Sequence, residues 1–395
     1  MCYPPKYWRI ALTNIIMNRT VTSVLVIIIM VMICFSCNIH KQDISGHPLL
    51  KVSLEERSIS IFDLFKNIEI IPLTSTEESL FAYTENVEVF NDTIFIFDRT
   101  LCALYIFGPD GLFINKIRKV GRGPGEYPIA SDFVINPSRR SVLILNPMGI
   151  INEYDFNGTF IQEMRLPQPP MNYRFFELLD SNTYVTWSSV YEKKNNAVRI
   201  FNTQNKISQG YFPYSSLWGS LRYGSIFNKY NDTIYYHETL SNRVYALTAD
   251  KCQIAYEWDT NIQLIDPKRL EVSEKELVIS QHGLFTDFKD GTIPFFFGPQ
   301  FQSEKYYYAL LTFSQPVPIR KSLFYNRNTC ESQLFAKTTE GLALDIKYMT
   351  DDYAIGLVNY DDKDILKNVV SKKDALLLDR MKEDDNPWII KYIMR

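Results

Sequence analysis

The chain has 395 residues, of which 46% are hydrophobic and 22% are charged, a composition typical of a globular protein with a sizeable core. Its formal net charge is −3, and no stripe of clustered Lys and Arg residues interleaves with aromatic side chains, so nucleic acid is not expected as a partner. The 25 Tyr and 26 Phe residues favour β structure, because these side chains suit half-buried pleated surfaces.

The N-terminal segment has the layout of an export signal. An apolar, uncharged run from Val21 to Phe35 follows Arg19, and it is shorter than the ~20 apolar residues that a membrane span needs. Met17 begins a segment of typical signal length, so we expect translation to start there and residues 1–16 to be absent from the natural product.

The end of this segment, Ser36-Cys37, resembles the signal of bacterial lipoproteins, in which a small residue precedes the cysteine that becomes the lipidated N-terminus. The resemblance implies a signal peptide over residues 1–36, lipidation of Cys37 and a polar tether over residues 37–58. An uncleaved signal anchor is the alternative. A redox pair of Cys34 and Cys37 is disfavoured, because the pair ends a hydrophobic run and does not precede a helix of a folded domain.

A short sequence recurs further along the chain. Residues 91–95 read NDTIF and residues 231–235 read NDTIY, each a polar turn that leads into an alternating strand. A longer plan follows the first copy: a second strand, the turn Asp110-Gly111 and a returning strand. Asp-Gly between strands favours a tight hairpin, because type I′ turns require positive φ angles. The repeat therefore predicts an all-β fold of antiparallel strands.

The spacing of these repeats predicts the architecture. Strand starts fall near residues 93, 141, 183, 233, 306 and 353. The intervals are 48, 42, 50, 73 and 47 residues, and four of them match one four-stranded blade of about 40–50 residues. The sequence predicts a six-bladed β-propeller with four-stranded antiparallel blades over residues 59–395, interrupted by an insertion at about residues 260–303.

The two ends of this region are predicted to meet. Apolar strands at residues 68–73 and 388–394 are expected to share one blade and so to close the ring. Helical composition occurs at residues 267–281, within the insertion, and at residues 371–382, before the last strand. Because no long helix alternates with the strands, a parallel βαβ sheet is not expected.

The most distinctive segment is VGRGPGEY at residues 120–127. It resembles the Gly-x-Gly-Pro-Gly-Glu-Tyr signature of six-bladed β-propeller lipoproteins from gut-type Gram-negative bacteria, which are relatives of NHL-type propellers. The sequence DNPW at residues 385–388 resembles the ending of that family. The likeness spans about residues 59–395 and implies a propeller fold without an assigned activity.

Two interpretations of the glycine-rich segment stay open. Three glycines and a proline within five residues predict a tight turn, which we favour. A phosphate-binding loop is disfavoured, because neither a Gly-Lys-Ser/Thr sequence nor a helix follows. The functional interpretation places Arg122, Glu126 and Tyr127 near one mouth of the central channel as candidate binding residues, since loops on rigid scaffolds carry binding sites.

Aromatic residues are the other candidates for binding. Trp218 and Phe296 are expected either to line a binding face or to pack between blades, and we favour packing. Only two histidines, His237 and His282, fall in the predicted folded region, so neither a His₃ zinc site nor an H-E-x-x-H motif is present. The sequence therefore predicts no cofactor and no metal site, and it assigns no catalytic residue.

Three cysteines are scattered through the predicted propeller. Cys102, Cys252 and Cys330 are too widely spaced to form a disulfide framework or a metal-binding pair. A single bridge between Cys252 and Cys330 would be possible in an oxidising compartment. The interpretation that we favour is that all three are small buried hydrophobic residues.

Three functions are consistent with these features. The first is an exported, lipid-anchored binding or scaffold module of the cell envelope, facing the periplasm or the cell surface, with a peptide, a glycan or an envelope protein as its ligand. The second is an enzyme, a hydrolase or lyase that uses carboxylates at the central channel, with or without calcium. The third is a structural envelope component. Because no catalytic constellation is recognisable, we favour the binding module, with the membrane contacted through the lipid anchor.

Overall fold

The computed structural model describes residues 46–167, 172–188, 196–204, 206, 208–213, 225–237, 241–260, 294–313 and 319–395. The chain divides into two units, residues 1–49 and residues 50–395. Most of the first unit lies outside the described residues, and so do the predicted signal peptide, Cys37 and the predicted helix at residues 267–281. Among the described residues, no helix combines the length and the apolar character needed to cross a membrane.

Antiparallel strands dominate the second unit. The first two strands, β1 (Leu49–Lys51) and β2 (Phe65–Ile71), join sheets whose other strands come much later in the chain. The other strands of blades 1 to 3 are β3 (Asn86–Phe90), β4 (Thr93–Asp98), β5 (Ala103–Phe107) and β6 (Phe113–Ile117); β7 (Asp132–Asn136), β8 (Ser141–Leu145), β9 (Ile150–Asp155) and β10 (Phe160–Arg165); and β11 (Tyr173–Leu178), β12 (Thr183–Ser188), β13 (Asn196–Asn202) and β14 (Ser208–Pro213).

Blades 4 to 6 follow the same plan. Their strands are β15 (Phe227–Tyr230), β16 (Thr233–His237), β17 (Arg243–Leu247) and β18 (Cys252–Asp259); β19 (Pro294–Gln302), β20 (Tyr306–Phe313), β21 (Ile319–Asn326) and β22 (Glu331–Phe335); and β23 (Tyr348–Met349), β24 (Tyr353–Val358) and β25 (Trp388–Met394). Strand β1 adds a fifth strand beside β18, and β2 completes blade 6 beside β25. The structure confirms the predicted six-bladed β-propeller with four-stranded antiparallel blades.

The six predicted strand starts mark equivalent positions of the six blades. Each is the first residue of the second strand of a blade, namely of β4, β8, β12, β16, β20 and β24. The recurring Asn-Asp pair explains this regularity. Asn91 and Asp92 form a two-residue hairpin loop with φ angles of 47° and 61°, and Asn231 and Asp232 form another with 47° and 58°. Both positions of a type I′ turn need positive φ, which Asn and Asp tolerate better than most residues.

The hydrophobic core consists of six layers, one between each pair of neighbouring blades. Phe97 of blade 1 and Phe133 of blade 2 meet in one of these layers, with ring centroids 5.7 Å apart. Since a blade has neighbours on both faces, its middle strands are buried on both sides. The predicted alternation of buried and exposed residues is therefore wrong for β4, which is buried from Ile94 to Asp98.

The two ends of the propeller close it within one blade, as predicted. Strand β2 pairs antiparallel with the C-terminal strand β25, so that β2 is the outermost strand of blade 6. Asn386, only 1% exposed, adds a side-chain clamp: its Oδ1 accepts the N–H of Phe81 at 3.1 Å, and its Nδ2 donates to the carbonyl oxygens of Thr74 and Ser79 at 3.0 Å each. The DNPW segment thus joins the C-terminal strand to the segment that leads into blade 1.

Two predicted boundaries need correction. The folded region begins before residue 59, because Leu50 and Val52 are buried and the N–H of Val52 donates to the carbonyl of Asp259 at 2.8 Å. The insertion ends before residue 303, because Pro294–Gln302 is the first strand of blade 5. This strand contains a glycine and a proline, and its pairing with β20 shifts register between Phe297 and Gln300, where a bulge accommodates such residues.

Short helices lie between β1 and β2 and between β24 and β25. The helices are α1 (Ile61–Leu64), a 3-10 helix (Tyr360–Asp362), α2 (Lys363–Leu366) and α3 (Lys372–Leu378). Helix α3 lies within the predicted residues 371–382, and the Ser371 hydroxyl caps its N-terminus by accepting the N–H of Asp374. None of the three cysteines in the described part of this unit forms a disulfide bond. Cys330 is exposed and the other two are half-buried, so their predicted burial is wrong.

Candidate functional site

The first strand of each blade faces the centre of the ring. These six inner strands, β3, β7, β11, β15, β19 and β23, each contact the next around a closed circle. Residues from all six line a single cavity of about 400 Å³. This volume falls within the range of small-molecule pockets. We call this part of the channel the wide end; it is bounded by the Asn91–Asp92 and Asn231–Asp232 hairpins and by Asp351.

Two glutamates dominate the wide end. Glu88 projects from β3 and Glu177 from β11, two blades away. Burial raises the pKa of Glu88 from 4.5 to about 8, and the charge of Glu177 raises it as well, while Lys229 opposes both effects. The pKa of Glu177 is also raised by burial, although the N–H of Leu178 donates to its Oε1 at 2.8 Å and lowers it. The two carboxylates are therefore close enough to influence each other across the channel.

Lys229 brings a positive charge to the same cavity. It belongs to β15, and its Nζ donates to the carbonyl oxygen of Leu178 at 3.0 Å. That hydrogen bond holds the ammonium group beside strand β11. No ion pair within 4 Å joins Lys229 to Glu88 or Glu177 in the part of the chain that the structure describes. The three charges thus stand apart around the cavity.

Aromatic side chains complete the wall of the wide end. Tyr348 donates its hydroxyl to the carbonyl oxygen of Val89 at 3.2 Å, and Tyr230 donates to Oδ1 of Asp351 at 3.2 Å. Burial raises the pKa of Tyr348, and the charge of Glu88 raises it further. These hydrogen bonds fix the two rings at the rim, where a ligand entering from this side would pass them.

The opposite part of the channel, the narrow end, is lined by Tyr83, Glu85, Arg320 and Asp345 among others, and it holds a cavity of only about 50 Å³. Here the charges are paired. Glu85 lies 3.5 Å from Arg99 and 3.8 Å from Arg174.

Of the other acidic groups near Glu85, Asp345 is also paired, whereas Asp132 forms no ion pair among the described residues. Asp345 lies 3.6 Å from Arg320 and 3.0 Å from Lys347. Burial raises the pKa of Asp132 well above its ordinary value, although the N–H of Phe176 donates to its carboxylate at 3.1 Å. Burial also lowers the pKa of Arg174, and the neighbouring charge of Arg99 lowers it further. The narrow end is accordingly a network of ion pairs rather than a pocket.

A further cleft, of about 640 Å³, lies at the outer edge of blades 4 and 5. Residues 51–57 form one side of it, and Thr260 and residues 330–332 form the other. It is shallow and open to solvent, and it results from the way the N-terminal segment crosses the edges of two blades. This cleft is bounded by the outer edges of only two blades, whereas the wide end gathers side chains from all six. We therefore place the candidate site at the wide end.

The glycine-rich segment forms a tight turn, away from both cavities of the channel. The Gly123 N–H donates to Oε2 of Glu126 at 2.8 Å, and the buried Tyr127 donates its hydroxyl to the carbonyl of Cys102 at 3.2 Å. Gly125 has a φ of 69°, and a Cβ there would lie 2.5 Å from the Phe160 ring, so glycine is required. This geometry supports the structural interpretation of the motif.

The predicted binding residues do not come together in the described structure. Arg122 and Glu126 are exposed, Tyr127 is buried between blades 1 and 2, and none of the three lines either cavity of the channel. Trp218 lies outside the described residues. Phe296 belongs to β19, but its side chain is not among the parts of the chain that the structure describes. A binding role for these five residues stays a prediction.

The sequence interpretation missed Glu88, Glu177 and Lys229. A signal for two of them was present: Glu88 and Lys229 each lie two or three residues before an Asn-Asp turn, in the strand that precedes it. A charged residue in the middle of a short apolar strand is unusual unless it faces water or a ligand. His237 is buried at the end of β16. No group of three or more His, Cys, Asp or Glu residues suited to a metal ion occurs among the described residues.

Fold and site together define a class: a six-bladed β-propeller whose inner strands enclose a charged channel that is wider at one end. The chain belongs to the family described as Domain of unknown function (DUF4934), whose model matches residues 49–392. The comparison with curated proteins finds no match for this chain.

Two solved structures share the fold. One is a presumed exported protein from Bacteroides fragilis, with 16% identity and a TM-score of 0.70, over 88% of this chain and 99% of that chain. The other is a member of the DUF4221 family from Bacteroides vulgatus, with 9% identity and a TM-score of 0.51, over 83% of this chain and 98% of that chain. At these identities the similarity shows the fold alone.

Proposed function

We propose that this protein is a ligand-binding module of the cell envelope and that the wide end of the channel is its binding site. The observation that carries the proposal is the cavity of about 400 Å³ to which all six inner strands contribute. Large concave sites with a few convergent polar groups are the usual places where ligands bind. The ring of blades supplies the rigid scaffold on which such a site keeps its shape.

The binding function is tested by filling the cavity. Asn228 of β15 lines the wide end, and Asn228→Trp places a bulky ring there. The matched control is Asn328→Trp, at an exposed turn residue that lines neither cavity of the channel. We expect a thermal-shift screen of the full chain in detergent, with cationic, anionic and neutral small molecules, short peptides and glycans, to yield ligands that stabilise the protein and the control but not Asn228→Trp. A screen without any such ligand would overturn the proposal.

The envelope location rests on the N-terminal sequence and is supported by the presumed export of the Bacteroides fragilis protein with the same fold. We propose that the chain is exported and lipidated at Cys37, and that it faces the periplasm or the cell surface. Metabolic labelling with an alkyne fatty acid tests this. Cys37→Ser is expected to abolish the label and release the protein from membranes, whereas Cys34→Ser retains both. Equal labelling of the two variants would contradict lipidation at Cys37.

An enzyme is the second candidate, and one observation favours it. Glu88, with its pKa raised to about 8, is largely protonated at neutral pH and faces a cavity that also contains Glu177. A carboxylic acid and a second carboxylate across a pocket are the groups that hydrolases and lyases use for proton transfer. Turnover of a glycoside or uronide substrate that disappears in Glu88→Gln would establish this function. Stable binding of an unaltered ligand would favour the binding module.

A further inference from the structure

The charges at the wide end are unbalanced. Four carboxylates line the cavity, those of Glu88, Glu177, Asp232 and Asp351, against the two ammonium groups of Lys229 and Lys347. Two of these six groups are engaged elsewhere. Lys347 pairs with Asp345 at 3.0 Å, and Asp351 accepts the hydroxyl of Tyr230. Apart from the exposed Asp232, the cavity is therefore left with two carboxyl groups, those of Glu88 and Glu177, and one ammonium group, that of Lys229, so that ionisation of both glutamates gives it a net negative charge.

Glu88 lacks the partner that an enclosed carboxylate normally has. It stands in the middle of an inner strand, half-buried, and within the described part of the chain its carboxylate accepts no hydrogen bond and forms no ion pair. Glu177 accepts one hydrogen bond, from the N–H of Leu178. Enclosed carboxylates are costly unless a donor or a cation satisfies them. An incoming positive group would supply what the protein does not.

The walls of the cavity suit the apolar part of such a ligand. Phe90, Tyr230 and Tyr348 line the wide end beside the glutamates. Aromatic faces attract ammonium and guanidinium groups and also pack against aliphatic chains. A hydrated metal ion fits less well, because no three acidic, His or Cys side chains among the described residues are grouped in a way that could hold one.

We propose that the wide end binds a small organic cation, whose ammonium or guanidinium group lies between Glu88 and Glu177 and whose aliphatic part lies against the aromatic rim. This proposal rests on the proposed binding function and names its ligand class. Neighbouring strands set the charge around Glu88: Glu177 comes from β11, Lys229 from β15, and Lys347 and Tyr348 from blade 6, while β7 and β19 bring apolar side chains to the cavity. Binding of the cation then releases the proton of the Glu88 carboxyl group, because the ligand favours the ionised form of Glu88.

The probes are agmatine and cadaverine, with glutarate as the anionic control and 1-pentanol as the neutral one. Titration calorimetry on the full chain in detergent is expected to show binding of the two cations and of neither control. Glu88→Gln and Glu177→Gln are each expected to weaken cation binding about 10-fold or more, because each variant removes a charge-assisted hydrogen bond to the ligand. Glu163→Gln, which changes an exposed carboxylate outside the channel, serves as the matched control and is expected to bind like the wild type.

Two further measurements keep the proposal independent of variant stability. Lys229→Met is expected to tighten cation binding about 3-fold, because it removes a positive charge from the cavity. Cation affinity of the wild type is expected to rise between pH 6 and pH 9, as ionisation of Glu88 becomes easier, with proton release detected by comparing buffers of different ionisation enthalpy.

The outcomes separate this inference from the proposed function. If glutarate, 1-pentanol or another non-cationic ligand binds in a manner blocked by Asn228→Trp while the cations do not bind, the site is real and the assigned ligand class is wrong. Cations that bind equally well to the wild type, Glu88→Gln and Glu177→Gln also overturn the inference. If no molecule of any charge binds at the wide end, the proposed function itself fails.

Discussion

The wide and narrow ends of the channel contain the same kinds of charged side chain but arrange them differently. At the narrow end Glu85 contacts two arginines and Asp345 contacts an arginine and a lysine, and only about 50 Å³ is left between them. At the wide end Glu88 and Glu177 face about 400 Å³ of space without an ion-pair partner among the described residues.

This difference separates charges that serve the fold from charges that are available to a ligand. A paired charge is already satisfied, so removing its partner harms the folded state. An unpaired, enclosed carboxylate already costs stability in the empty protein, so its removal harms binding and relieves the fold. Stability measurements on single variants at the two ends therefore test whether the charges differ in this way.

The largest effect on stability is expected at the narrow end, from Glu85→Gln. The Glu85 side chain is only 7% exposed, whereas Arg174 and Arg99 are 24% and 43% exposed. Breaking a fully buried pair costs about 3–5 kcal/mol and an exposed pair less than about 1 kcal/mol, so we expect a loss of about 2 kcal/mol. Urea denaturation at pH 7 measures it. Glu163→Gln, which breaks the exposed pair with Arg165, is the control with a change below about 0.5 kcal/mol.

An opposite and pH-dependent effect is expected at the wide end, from Glu88→Gln. The pKa of Glu88 is about 8 in the folded protein and 4.5 as its ordinary value, so the folded state binds more protons between these values. The contribution of Glu88 to stability is full below pH 4.5 and is lost as the pH rises through 8.

Glu88→Gln has no carboxyl group to ionise at this position, so its stability does not fall in this way as the pH rises. At pH 9 we expect Glu88→Gln to be more stable than the wild type by about 1–3 kcal/mol. This range is smaller than the full pKa shift implies, because water in the channel reaches the half-buried Glu88 side chain and screens its charge. At pH 5 the two proteins are expected to agree within about 0.5 kcal/mol, because both then have a neutral side chain at this position. Denaturation midpoints at the two pH values measure the difference. Equal stability at pH 9 would show that Glu88 is not enclosed as described.

The smallest effect is expected from Arg320→Met at the rim of the narrow end. Its guanidinium lies 3.6 Å from Asp345, but the two side chains are 52% and 39% exposed. Exposed pairs of this kind contribute about 0–1 kcal/mol, so we expect a loss of no more than about 0.5 kcal/mol in the same urea assay. A loss comparable to that of Glu85→Gln would mean that the network of the narrow end acts as one unit.

Much of the architecture was predictable from local patterns. The Asn-Asp turns and the blade-length spacing located the second strand of every blade, and the apolar ends located the strands that close the ring. The boundaries were less accurate. Leu50 and Val52 stand in a short stretch that looks like a tether, and Pro294–Gln302 contains a glycine and a proline, so local composition misled in both places.

The candidate site was not predictable in the same way. Glu88, Glu177 and Lys229 are far apart in the chain, and nothing in the local sequence of Glu177 marks it as a partner of Glu88. The distinctive VGRGPGEY segment drew attention instead, yet its Glu126 accepts a hydrogen bond within the turn and its Tyr127 is buried. Conspicuous local patterns reflect the demands of turns, whereas a channel site depends on which strands meet.

The strands, the turns and the closure of the propeller follow from the local sequence, because they depend on residue periodicity and on φ preferences that act over a few neighbours. Which charges face each other depends instead on how the blades assemble. Each inner strand contributes between one and four residues to the lining of the cavity, and the ring of blades brings together residues 88, 177 and 229, which are far apart in the sequence. The electrostatic environment that raises the pKa of Glu88 arises from that assembly.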